Sequence, residues 1–110
     1  MRKVRDLMII LKYILDIKDH QRIEMGCNDA LPLSVAEQDG KLMLWAQVKE
    51  NAFPEDYNCA IEVHIIGTGN PYDEPKDPAE FIGTVVMSYG LVWHVFAKMD
   101  YPTLSGGVKT

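Results

Sequence analysis

The sequence predicts an all-β domain: a small antiparallel β-sandwich or partly open barrel of about seven strands, with a short N-terminal helix as the one variant. Three observations predict it. Apolar and polar residues alternate with a period of two through most of the chain, as half-buried strands require. Turn formers punctuate that alternation at short intervals, most clearly at Asp39-Gly40 and Ser88-Tyr89-Gly90. At 110 residues the chain suffices for one domain, which can bury a core without disulfides or metal.

The first segment is the ambiguous one. Val4, Leu7, Met8, Leu11, Ile14 and Leu15 fit a helical face, while Ile9, Leu11, Tyr13, Leu15 and Ile17 fit a strand face. Lys12 and Asp16 fall on the opposite strand face. Tyr13 and the β-branched isoleucines favour a strand over Ile9–Ile17. Residues 1–8 then form an N-terminal extension, a turn or short helix, and Met8 could itself serve as a start. Lys18-Asp19-His20 reads as a tight connection and Gln21–Met25 as a second strand. The turn formers of GCNDALP make a loop.

Leu33–Glu37 and Leu42–Val48 read as a hairpin around Gln38-Asp39-Gly40-Lys41, where Asp-Gly supplies the positive φ angles of a two-residue turn. Lys49–Asn58 is polar, contains Pro54 and reads as a loop. Ala60–Ile66 follows as a strand, with Ile61, Val63 and Ile65 inward and Glu62 and His64 outward. Glu80–Met87 and Leu91–Lys98 close the series. The domain therefore spans residues 9–98, and residues 99–110 form a flexible polar tail.

Sixteen acidic residues against eleven basic ones give a net charge of −5, which argues against nucleic acid as a partner and suits solubility or a basic partner. Cys27 and Cys59 are too few for a disulfide framework; free thiols in a reducing compartment are expected, with a single Cys27–Cys59 bridge as the alternative. The N-terminus begins basic and turns apolar, but Lys12 interrupts the apolar run and no small-residue cleavage site follows. No run approaches the ~20 apolar residues of a membrane-spanning helix. A cytoplasmic protein is expected.

The stretch HIIGTGNPYDEPKDPAEFIGTV, from His64 to Val85, carries Ile-Gly-Thr twice. A dinucleotide fingerprint would need a third glycine where Tyr72 stands, and three prolines disfavour the helix that should follow. His64, Gly67, Thr68 and Gly69 remain the candidate ligand-binding set. Structurally, each Ile-Gly-Thr suits a strand in which glycine permits a bulge or a close approach. If the two copies pair, Gly67 and Gly83 mark the same kink on adjacent strands. The connection Asn70–Ala79 is long for a hairpin, and Asp73, Glu74 and Asp77 form an acidic tip able to meet a basic partner.

No catalytic constellation emerges, and no cofactor or resident metal is expected. His64, Glu62 and His94 could approach one another if their strands were neighbours, but no zinc-type spacing supports a metal site. Cys59 and His64 fall on opposite faces of one strand, which argues against a nucleophile–base pair. Trp45 and Trp93 lie in strands that are apolar on both sides, which demands a second covering layer: another sheet, the N-terminal segment or another subunit. Both tryptophans are therefore also candidates for a partner-binding surface.

The motifs KYIL, DHQRIEM, LWAQV, IIGTGNP, FIGTV and VWHVF occur here in an order that resembles a family of small proteins encoded mostly by tailed bacteriophages and prophages and catalogued as a domain of unknown function. The resemblance runs from about Ile10 to Phe96. It implies a phage context and no known activity, so no catalytic residue carries over. That context implies a non-enzymatic binding protein acting on a host bacterial protein, as an inhibitor of a host process or defence system. The alternatives are a nucleotide-like ligand binder or sponge acting as a homo-oligomer, and a virion or assembly component.

Overall fold

In the computed structural model, residues 7–25, 30–49, 59–73 and 79–100 are described. They form seven strands: β1 Met8–Leu15, β2 His20–Met25, β3 Leu31–Gln38, β4 Lys41–Lys49, β5 Cys59–Gly67, β6 Glu80–Val86 and β7 Val92–Asp100. Two antiparallel sheets result, one ordered β1-β4-β3 and the other β2-β5-β7-β6. Their inner faces share one apolar core, as the predicted sandwich requires. The described residues include no helix, and hence none long and apolar enough to cross a membrane.

The ambiguous first segment is a strand. It pairs along its length with β4, from Met8 opposite Lys49 to Leu15 opposite Leu42. Ile9, Tyr13 and Leu15 reach the core, while Ile10 and Ile14 lie exposed on the outer face. The strand stops at Leu15, short of the expected Ile17. Gln21 is the physical reason: its side-chain amide accepts from Asp16 N at 3.1 Å and donates to Asp16 O at 2.7 Å. A backbone group at the corner is thereby satisfied without a sheet partner, and the chain can cross to the second sheet.

Strand β4 is central in its sheet and buried on both sides. Leu42, Leu44, Ala46 and Val48 enter the core, and Met43 is buried on the outer face. The β3–β4 turn has Asp39 at φ 55° and Gly40 at φ 78°, the double left-handed geometry expected from Asp-Gly. Strand β3 begins at Leu31, earlier than expected, and includes Pro32. An edge strand tolerates proline, and the register shifts between Pro32 and Ser34.

The two Ile-Gly-Thr copies do not pair with each other. Strand β7 lies between them, with Gly67 opposite Trp93 on one side and Gly83 opposite Val95 on the other. The expectation of a shared kink on adjacent strands is therefore corrected. The bulge itself holds for the second copy, where the register shifts between Phe81 and Gly83. A Cβ on Gly83 would meet Val35 Cγ2 at 3.0 Å, so the missing side chain lets the edge strands of the two sheets close on each other. Nearby, the Glu37 carboxylate accepts from Ser88 N at 2.8 Å and Ser88 Oγ at 2.7 Å, tying β3 to the β6–β7 turn.

Candidate functional site

Alternation in a strand sends every second side chain away from the core. On the four-stranded sheet this outer face carries His20 and Arg22 from β2, Glu62 and His64 from β5, His94 and Phe96 from β7, and Phe81 and Thr84 from β6. Antiparallel pairing places His20 directly opposite His64, and Arg22 opposite Glu62. Short-range polar contacts then fix these groups. Glu62 takes His20 Nε2 on one carboxylate oxygen and Arg22 Nη1, at 2.6 Å, on the other. Arg22 also bridges to Asp100 at the end of β7.

Burial of the Glu62 side chain, 15% exposed, would raise its carboxyl pKa. The hydrogen bonds from His20 and Arg22 outweigh burial and hold it below the ordinary value. Burial and the neighbouring His20 push the His64 pKa down, which favours a neutral imidazole. The two imidazole rings lie 4.9 Å apart at an interplanar angle of 33°.

A cleft of about 440 Å³ opens on this face. Its floor is His20, His64 and Phe96. Asp19 and the chain from Asn70 to Asp73 also line it. Backbone contacts hold both segments: Ile65 N donates to Asp19 O at 3.1 Å, and Asn70 N donates to Gly67 O at 3.1 Å. Gly69, at φ +86°, supplies the left-handed residue of the second turn. Gly67 makes room beneath it, since a Cβ there would lie 2.7 Å from Asn70 Nδ2 and 3.3 Å from Trp93 Cζ3. Aromatic rings continue the floor outward. Phe96 is 6.3 Å from Tyr72 and 5.5 Å from Phe81, centroid to centroid, the latter pair edge-to-face.

The repeated Ile-Gly-Thr has a structural use beside the cleft. Thr68 Oγ1 lies 2.7 Å from His94 Nε2, and Thr84 Oγ1 lies 2.9 Å from His94 Nδ1. The threonines of the two copies thus clamp one imidazole of the intervening strand. A hydroxyl both donates and accepts, so either tautomer of the ring is satisfied.

Of the candidate ligand-binding residues, His64 and Gly67 line the cleft, whereas Thr68 and Gly69 form the turn behind it. Asp73, expected in a partner-binding acidic tip, also lines the cleft; Glu74 and Asp77 lie outside the described residues. One member of the partner-binding set, Asp73, thus meets two of the ligand-binding set, His64 and Gly67, at this cleft. Trp45 does not join them, since it lies on the outer face of the other sheet, paired with Lys12. Trp93 turns inward and packs against the core. Cys27 also lies outside the described residues.

His64 and His94 do sit on neighbouring strands, but the threonine clamp occupies His94, and the imidazole beside His64 is His20. Among the described residues no three His, Cys, Asp or Glu side chains gather as metal ligands. Asp19, His20, Tyr72 and Phe96 escaped the sequence reading. The available signal was the period-two alternation His20, Arg22, Glu24, which marks an outer face; its pairing with β5 was not available.

Comparison with curated proteins gives no match, and comparison with solved structures gives none. A family described as a domain of unknown function, DUF7352, matches residues 8–103. That span is most of the chain and contains every strand and the whole cleft. The protein belongs to the DUF7352 family.

Proposed function

We propose that this domain is a non-enzymatic binding protein that docks on a host bacterial protein through the cleft on its four-stranded sheet, and so inhibits a host process or defence system. The phage and host context rests on the resemblance of its ordered motifs to small phage and prophage proteins, and that resemblance supports action in the bacterial cytoplasm. One observation carries the docking site. A concave surface of about 440 Å³ joins aromatic rings to carboxylates on a rigid sheet. Such apolar walls with a few placed polar groups are typical of binding sites.

The polar groups beneath the cleft support binding rather than catalysis, because they are committed to one another: His20 and Arg22 to Glu62, and His94 to the two threonines. A nucleotide-like ligand finds less support. Asp19 and Asp73 would face its phosphates, and Gly67-Thr68-Gly69 is a tight turn rather than a cradle.

The test compares variants in affinity capture from bacterial lysate. Tyr72 is exposed and outside the core, so Tyr72→Ala leaves the fold intact. A partner held by the wild type and by Trp45→Ala, but lost by Tyr72→Ala, is the expected result. Equal capture by all three proteins, or none by the wild type, would refute the proposal.

A further inference from the structure

The chemistry of the cleft narrows what can enter it. We infer that the cleft receives a planar cation, the guanidinium of an arginine side chain presented by the partner protein. This inference rests on the docking site proposed above and names the group that site would hold.

Charge is the first argument. Asp19 and Asp73 both line the cleft, and among its described lining residues there is no Lys or Arg. Two described cations, Arg22 and Lys98, share this face without lining the cleft. Arg22 is bound to Glu62 and Asp100, and Lys98 lies opposite Glu62 in the β5–β7 register. Against the described lining, an anion would meet two carboxylates, while a cation would be attracted to both. The net charge of −5 adds a long-range field of the same sign.

Shape and donor count are the second argument, and they separate arginine from lysine. Tyr72 and Phe96, both lining the cleft, lie 6.3 Å apart, tilted by 39°. Rings so placed offer faces on which a flat guanidinium can stack, whereas an ammonium is a point charge without a plane. Other lining groups can also accept hydrogen bonds. The Asn70 amide oxygen, the neutral His64 imidazole and the two carboxylates can take N–H bonds from several directions. Arginine offers five donors in a fixed plane, and lysine three at one point. Two carboxylates beside further acceptors suit the ion with more donors.

The inference is tested on the isotope-labelled full chain by following backbone amide signals during titration. The probes are the N-acetyl amides of arginine, lysine and glutamine, and adenosine monophosphate. The arginine amide should shift Gly67, Asn70, Tyr72 and Phe96 saturably, and the glutamine amide should not. Tyr72→Ala removes one stacking face, and Asp73→Asn one charge; each should weaken arginine binding about fivefold. Both residues are exposed, and a retained spread of amide signals verifies that each variant is folded.

Equal binding of the lysine amide would overturn the guanidinium assignment. Binding of adenosine monophosphate without arginine would overturn the charge argument and revive an anionic ligand. No shift with any probe would overturn the inference. The docking proposal would still be judged separately, by whether Tyr72→Ala loses the captured partner.

Discussion

Leu44 and Ile14 are both apolar residues of the three-stranded sheet, yet the structure gives them opposite weights. Leu44 is 0% exposed, on the central strand, opposite Tyr13 on one side and Val35 on the other. Ile14 is 58% exposed on the outer face of an edge strand. Leu44→Ala deletes fully buried atoms between two flanking strands that cannot both collapse inward, so the cost should be about 3–5 kcal/mol. Unfolding entropy of roughly 2.1 cal/mol/K per residue, over a chain of this length, makes each kcal/mol worth about 4 °C. The midpoint should therefore fall by about 12–20 °C.

Ile14→Thr keeps a β-branched residue and removes apolar area that is already mostly in water, so it should cost less than about 1 kcal/mol, or 4 °C. Thermal unfolding followed by circular dichroism, repeated over a tenfold range of protein concentration, measures both. A fall for Ile14→Thr as large as that for Leu44→Ala would refute the assignment of that face to solvent. A midpoint that rises with concentration would point to the same error, with a second copy covering the face.

Other consequences follow from individual contacts. His64 and Glu62 both have folded pKa values below their ordinary ones, so the unfolded chain binds more protons in each case and stability rises with pH. Acidification should therefore destabilise the domain in two stages, first below about pH 6.5 as His64 protonates and again below about 4.5 as Glu62 does. His64→Gln should remove the first stage in urea titrations at stepped pH, and persistence of that stage in the variant would contradict its assignment. Gly40→Ala forces a side chain into φ 78° and should cost about 1 kcal/mol by urea unfolding; no loss would refute the turn geometry. Thr68→Val with Thr84→Val strips both hydroxyls from His94 and should cost about 1–2 kcal/mol; a neutral double variant would show that the clamp contributes nothing.

The strands were legible because alternation is local. Leu42, Leu44, Ala46 and Val48 announce an inward face whatever lies opposite, and Asp39-Gly40 announces its own turn. Even β1, which fits two periodicities, is resolved by Tyr13 and its isoleucines. Strand order was not legible, because it depends on which edge each strand finds. Ile66-Gly67-Thr68 and Ile82-Gly83-Thr84 looked like partners, and β7 lies between them.

The site suffered from the same gap. His64, Gly67 and Asp73 could be singled out one at a time, but the cleft exists only because β2 pairs with β5, bringing Asp19 and His20 to His64 from far along the chain. Trp93 misled for a related reason. A tryptophan in a strand apolar on both sides gives no sign of which side its ring takes, and the register opposite Gly67 turns it inward.

Recognition is assigned to the cleft of the four-stranded sheet. A backbone amide shift map of the labelled domain, bound to the partner that it captures, tests this assignment. Perturbations should concentrate at Gly67, Asn70, Tyr72, Asp73 and Phe96. Perturbations concentrated instead at Ile10, Ile14 and Trp45, on the opposite side of the sandwich, would contradict it.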